Sequence, residues 1–282
     1  MKIAIVTDST SYIPQAMRES LGIHMVPLSV IMGGETYREE IDVTYQEFYE
    51  VVRTSEQLPT TSQPPIGEFV QLFENLRDQG YTHVISILLS SGISGTYQSV
   101  VSAGDMVEGI ETVAFDSEIS CMPQGFYVLE AAEMAQNGQT AEIILEKLKE
   151  MKKSLRAYFM VDDLSHLQRG GRLSSAQAFI GSLLQVKPLL HFQEKVIVPF
   201  EKIRTKKKAL KRIEELLQND IHTGERFKAC IIHANREEEA VEWKNELEAK
   251  YPNVEWMVSY FGPVIGTHLG EGSLGMSWVK AE

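Results

Sequence analysis

The sequence is poor in the residues that staple small folds together. Only two of its 282 residues are cysteines, Cys121 and Cys230, and they lie far apart outside any CxxC pair. That excludes a zinc ribbon and a disulfide framework and leaves reduced, buried thiols. The seven histidines include no H-E-x-x-H or H-x-x-x-H spacing, so no metal is expected. No apolar run approaches the ~18 residues of a membrane span, so stable membrane insertion is not expected. The opening MKIAIVTDST offers only a short apolar run before Asp8 and no small-residue cleavage pattern, which favours a cytoplasmic location. Positive charge is scarce too: 27 Lys and Arg against 39 Asp and Glu give a net charge of −12, which repels nucleic acid over most of the surface. The chain also has no G-x-x-x-x-G-K-[ST] phosphate loop, and its Gly92-Ile93-Ser94-Gly95 run lacks the G-x-S-x-G spacing of a nucleophile elbow.

What is present is globular. Hydrophobic residues make up 43% and charged residues 23% of a length that suits two domains of ~100 to 150 residues each. Apolar runs ending in polar residues alternate with helical spacing through the first half: strands over Ile3 to Val6, His24 to Met32, Val84 to Leu89 and Thr112 to Phe115, helices over Thr44 to Arg53, Ile66 to Arg77, Gly95 to Val107, Gln124 to Gln136 and Thr140 to Lys153. This pattern predicts a parallel, Rossmann-like sheet in an α/β domain over residues 1–157. Residues 158–282 read as a second α/β domain with a mixed sheet. It contains a strand near Tyr158 to Val161, a helix beginning near Ser174, a hairpin over Pro188 to Ile203 turning near Gln193 to Lys195, a strand Ala229 to His233, a helix Glu237 to Lys250 and a strand Val254 to Tyr260.

Four polar, Gly- or Pro-marked loops stand out: Thr60 to Gln63, Ser91 to Thr96, Arg169 to Arg172 and Gly266 to Gly270. In ISILLSSGISGTYQS, Ile85 to Ser99, a strand empties into a helix N-terminus through hydroxyl residues and glycines. Such a turn is an anion site in outline, and equally a turn in which Ser94 only caps the helix. Prolines on both sides of Thr60 to Gln63 set the orientation of that loop in advance. Arginines flanking Gly170-Gly171 offer forks for a carboxylate or phosphate, or for surface salt bridges. The run Lys202 to Arg212 holds seven basic residues and no acidic ones, which reads as a solvated helix face or as a docking patch for an acidic partner.

Taken in order, DST at Asp8 to Thr10, TTSQP at Thr60 to Pro64, SSGISGTYQS, DS at Asp116-Ser117, RGGR and the closing GPVIGTHLGEGSLG resemble, end to end, the DegV family of bacterial fatty-acid-binding proteins. The resemblance implies a two-domain α/β fold with the ligand between the domains: a long-chain fatty acid such as palmitate, tail buried and carboxylate held at the domain junction. Carried over residue by residue, Thr61 and Ser94 match the carboxylate-binding hydroxyls, and Arg172 and His268 match the basic residues beside the head group. Thr60, Ser62, Ser91, Gly95 and Thr96 are secondary ligand-binding candidates, and a protonated His268 would add charge. Ile93, Phe179, Ile180, Leu183, Leu184 and Ile265 are candidate tail contacts. The resemblance further implies a lipid carrier with no catalytic residues and no cofactor of its own, which presents its ligand to the ATP-using subunit of a fatty acid kinase and carries the acyl phosphate onward. The competing reading is a small-anion or ester hydrolase built on Ser94 and His268, with Asp116 as the third member.

Overall fold

The computed structural model describes residues 2–55, 57–173, 187–221 and 225–281. The chain forms two compact units, one from residues 1–43 and 61–153, the other from residues 44–60 and 154–282.

In the first unit, β1 (Ile3–Asp8), β2 (Ile23–Val26), β6 (His83–Leu88) and β7 (Glu111–Asp116) form a wholly parallel sheet in the order β2-β1-β6-β7. The chain leaves β1 to one side and returns at β6 on the other, so the order reverses between β1 and β6. Open α/β sheets bind their ligands at the carboxyl ends of the strands flanking such a point. On one face, Ala4, Val6, Val84 and Leu88 meet Phe69, Phe73 and Leu76 of α3 (Ile66–Asp78) and Val100 and Ala103 of α4 (Thr96–Met106). On the other, α5 (Met122–Gln136) lies against β1 and β6, with α1 (Gln15–Leu21) beside it and α6 (Ala141–Ser154) following in sequence.

The sequence reading of one strand from His24 to Met32 is corrected. After Val26, Pro27 interrupts the ladder, and the chain changes sheets to β3 (Ser29–Met32), which pairs antiparallel with β4 (Glu35–Arg38). The expected Pro-rich loop also contains a short strand, β5 (Thr60–Ser62), on the other side of β3.

The second unit holds a six-stranded mixed sheet, β10-β9-β8-β13-β11-β12, from β8 (Arg156–Met160), β9 (Lys187–Gln193), β10 (Val196–Ile203), β11 (Arg226–His233), β12 (Val254–Tyr260) and β13 (Leu274–Ala281). Only β11 and β12 run parallel in it. Along each strand successive side chains alternate faces. One face, with Met160, Leu189, Phe227, Ala229, Ile231, Val254, Trp256, Met276 and Trp278, packs against Ala209, Ile213 and Leu217 of α8 (Lys206–Asp220) and Ala240, Trp243 and Leu247 of α9 (Glu237–Lys250). The opposite face carries Ala157, Phe159, Leu190, Cys230, Ile232, Met257, Ser259, Gly275 and Ser277.

Two further helices depart from the sequence reading. A short α7 (Ser165–Arg169) precedes the RGGR turn, and the closing segment expected as a loop forms α10 (Pro263–Leu269) followed by the central strand β13. Pro263 at the first helical position and Gly270 in the left-handed region after the last delimit α10, a start and stop that its internal Gly266 obscures. The helix expected to begin near Ser174 lies outside the described residues. The helix α2 (Tyr45–Thr54), early in the chain, belongs to this unit: Tyr49 Oη donates to the Phe261 carbonyl at 2.9 Å, Tyr45 stacks on Tyr260 at 4.3 Å, and Arg53 pairs with Glu271. Among the described residues no helix is long and apolar enough to cross a membrane.

Candidate functional site

At the carboxyl end of β1, Asp8 is wholly buried and organises its surroundings. The Thr10 amide and the Leu89 amide donate to it at 2.9 and 2.8 Å, and the Gln124 side-chain amide donates at 3.1 Å. Burial pushes this carboxyl above its ordinary range, and those hydrogen bonds pull it back. Ser9 and Tyr12 donate to Glu39, which is also fully buried. The DST motif is therefore a polar clamp that fixes the ends of β1, β6 and α5 against one another.

That clamp holds the SSGISGT turn, which follows β6. The Ile93 and Ser94 amides donate to the Ser90 carbonyl at 3.1 and 3.2 Å, closing a tight turn before α4. Ser94 Oγ lies 2.9 Å from Thr96 Oγ1 and accepts from the Thr96 amide at 3.3 Å. Ser94 is half-buried, whereas Thr96 is completely buried and stands behind it. Ser91 is committed elsewhere: its hydroxyl donates to Asp116 at 2.5 Å and its amide at 3.2 Å. Asp116 also accepts from the Glu118 amide at 3.0 Å, so the DS pair holds the turn in place.

Two of the sequence-predicted loops meet here through Gln63, a member of the Thr60 to Gln63 loop that is not among the expected ligand-binding residues. Its Oε1 sits so close to Gly95 that a Cβ there would lie 2.2 Å away, and its Nε2 donates to Ser99 Oγ at 2.8 Å. Glycine at position 95 leaves the room that this placement of the Gln63 amide uses. The contact seats the TTSQP loop, with Thr60 exposed, Thr61 half-buried and Ser62 exposed, beside the Ser94 turn and the N-terminus of α4. The result is a group of hydroxyls beside a helix end whose backbone N–H groups favour negative charge.

The second unit brings together the other pair. The RGGR turn follows α7, and its Gly170 lies against the His268 ring on α10, where a Cβ would fall 2.2 Å from Nδ1. Arg172 donates to the Gly170 carbonyl from the same turn. Burial first, and the Arg172 charge second, depress the His268 imidazole to a pKa of about 4. The expectation of a protonated His268 is thus corrected: the ring is neutral at pH 7, and Arg172 supplies the positive charge. His166, on α7, lies close to Gly270 and is likewise held below its ordinary pKa, chiefly by burial. No motif in the sequence flagged His166. Of the expected tail contacts, Ile265 is buried on α10 and Ile93 half-buried, while Phe179, Ile180, Leu183 and Leu184 lie outside the described residues. No group of acidic, histidine or cysteine side chains able to hold a metal ion occurs among the described residues.

Known proteins align with this chain over its length. A family model described as an uncharacterised protein of the DegV family matches residues 2–281. The DegV protein of Bacillus subtilis is 63% identical over 279 residues, covering 99% of both chains. A crystal structure described as DegV, a fatty acid binding protein from Bacillus subtilis, superposes with a TM-score of 0.95 at 63% identity, and covers 100% of each chain. Another, described by the fatty acid binding of a DegV family protein from Thermus thermophilus, does so with a TM-score of 0.93 at 33% identity and the same coverage. With a family match over nearly every residue, and a sheet topology shared with solved relatives, this chain belongs to the DegV family.

Proposed function

We propose that the protein binds a long-chain fatty acid with its tail buried and its carboxylate held by Thr61, Ser94, Arg172 and His268. In this reading Thr60 and Ser62 flank the head group, Gly95 admits Gln63, and Thr96 and Ser91 position the turn. The observation that carries it is the seating of Gln63 on Gly95, which sets two hydroxyl-bearing loops side by side at the helix end flanking the topological switch point. Relatives of 63% and 33% identity described as fatty acid binding support the ligand class.

The energetics divide between tail and head. Burying an acyl chain gains about 0.8 kcal/mol per CH₂, so the tail supplies the affinity. A carboxylate removed from water is costly unless paired and hydrogen-bonded, so the head-group donors decide whether the tail can enter at all. Arg172 provides the charge, Thr61 and Ser94 provide directional donors, and neutral His268 provides one ring N–H.

The chain has no phosphate loop of its own, which suits a carrier that presents the carboxylate to a separate ATP-using kinase. The kinase would move the γ-phosphoryl group of ATP to a carboxylate oxygen, leaving ADP and an acyl phosphate on the carrier. Within the basic run, Lys206 pairs with Glu239 and Arg212 with Glu201 and Glu215. The exposed Lys207, Lys208 and Lys211 on α8 are the proposed kinase-docking positions. Reversing their charge should slow phosphorylation by the kinase and spare lipid binding, and unchanged turnover would remove the docking role.

Native mass spectrometry of the purified protein, followed by denaturing extraction, tests the reading. One fatty acid per chain supports it, and a protein that neither retains nor takes up fatty acids of several lengths refutes it. The hydrolase alternative is less well supported, because both oxygens of Asp116 already accept hydrogen bonds from Ser91, and one accepts from the Glu118 amide as well. Ser94→Ala should abolish turnover in a hydrolase but only weaken lipid retention in a carrier.

A further inference from the structure

Two short helices of the second unit hold each other by one device used twice. Gly170, just after α7, lies against the His268 ring of α10, and Gly270, just after α10, lies against the His166 ring of α7. A Cβ at position 170 would fall 2.2 Å from His268 Nδ1, and one at position 270 would fall 2.8 Å from His166 Cδ2. Gly170 has φ −72° and ψ −9°, a conformation open to any residue, so its missing side chain serves the approach of the ring and not the backbone. The His166 ring also hydrogen-bonds to the backbone of Thr267, the residue before His268.

The two basic head-group candidates sit on opposite members of this clasp. His268 is on α10, whereas Arg172 follows α7: its amide donates to the Leu167 carbonyl at 3.1 Å and its guanidinium to the Gly170 carbonyl. α7 and α10 have only five and seven residues, and helices that short are not stable alone. Their placement therefore comes from packing, and at the ends that carry His268 and Arg172 the packing is mutual. A carboxylate leaving water needs its donors already in place, so the spacing of these two residues matters to it.

We propose, building on the fatty acid reading above, that His166 is a positioning residue: it holds the C-terminal end of α10 against α7 and thereby sets the spacing at which His268 and Arg172 meet a carboxylate. In this role it acts through His268 and not on the ligand. Its effect is confined to the head group, because the tail's contribution follows the apolar area buried and not this spacing.

The test compares palmitate with hexadecanol, which has the same chain length and no carboxylate, by competition against a fluorescent fatty acid on the lipid-stripped full-length protein. Taking the ratio of the two affinities cancels any change in binding of the probe. His166→Ala should lower the palmitate-to-hexadecanol ratio about tenfold, as the loss of one well-placed hydrogen bond to a charged group does. The His268 midpoint in an NMR titration should rise with it, because a ring that has left its seat is better solvated. Gly170→Ala pushes the same ring from its other contact and should have both effects, and the double variant should lose no more than the worse of the two singles. His166→Phe keeps a flat ring against Gly270 but loses the bond to Thr267, so its ratio should fall about threefold, and it decides the matter if His166→Ala does not fold. If palmitate and hexadecanol weaken together, or if neither the ratio nor the His268 midpoint moves in the folded variants, the inference is overturned while the fatty acid function stands. If the wild-type protein does not bind palmitate, the proposed function falls and takes this inference with it.

Discussion

The depressed His268 gives a prediction that can be followed from structure to assay. An unburied histidine titrates near 6.5, and burial together with the Arg172 charge brings His268 to about 4. That difference corresponds to about 3 kcal/mol of preference for the neutral ring in the folded protein. Because the unfolded chain takes up this proton first, it binds more protons than the native state between those two values. The stabilisation is therefore fully present above about pH 6.5 and is lost as the pH falls toward about 4. The assay is an NMR titration of the lipid-stripped protein, in which the His268 ring signal is identified by its absence from His268→Gln. The midpoint should lie near 4, and Arg172→Gln should raise it while leaving it below 6.5, since burial is the larger cause. His24, His166, His191 and His233 are depressed by burial as well, so acid sensitivity of the whole protein is shared. Only the difference between wild type and His268→Gln isolates this ring. A wild-type midpoint at or above 6.5 would refute the reasoning. A fatty acid bound as proposed should shift the midpoint upward, because a carboxylate favours the charged ring.

Three further perturbations follow from the same contacts. Gly95→Ala drives a Cβ into Gln63 Oε1 and should weaken fatty acid binding by tenfold or more in a competition assay. Adding Gln63→Ala should restore part of the loss by clearing the space, and no rescue would mean that the two loops are not coupled. Asp8→Ala leaves the Thr10 and Leu89 amides buried without the acceptor they use and removes one of the acceptors of Gln124, and should cost at least about 3 kcal/mol in urea unfolding. Loss of less than about 1 kcal/mol would show that the network is not a clamp. Tyr49→Phe removes the bond to the Phe261 carbonyl and should cost about 1 kcal/mol, with faster hydrogen exchange at α2 as the local readout.

Much of this protein is legible in its sequence, because the responsible physics is local. The parallel strands of the first unit announce themselves as short apolar runs ending in polar residues. Helices such as Glu237–Lys250 follow from apolar spacing alone. The ordered motifs identified the family, since six short stretches in sequence order rarely coincide by accident. Other features were decided only by tertiary structure. Val26 and Ser29 look continuous in sequence, and only the pairing partners available to each assign them to different sheets. β13 is central in its sheet, but its small face, Gly275 and Ser277, made it resemble the glycine-rich segment before it. α2 joins the second unit through Tyr49 and Phe261, residues 212 positions apart, a partnership no local pattern encodes. The protonation of His268 belongs to the same class, because its chemistry is set by Gly170, Arg172 and the depth of burial that only the folded chain creates. Periodicity and motif order fix what is near in sequence, whereas burial and long-range hydrogen bonds fix which of those residues can do chemistry together.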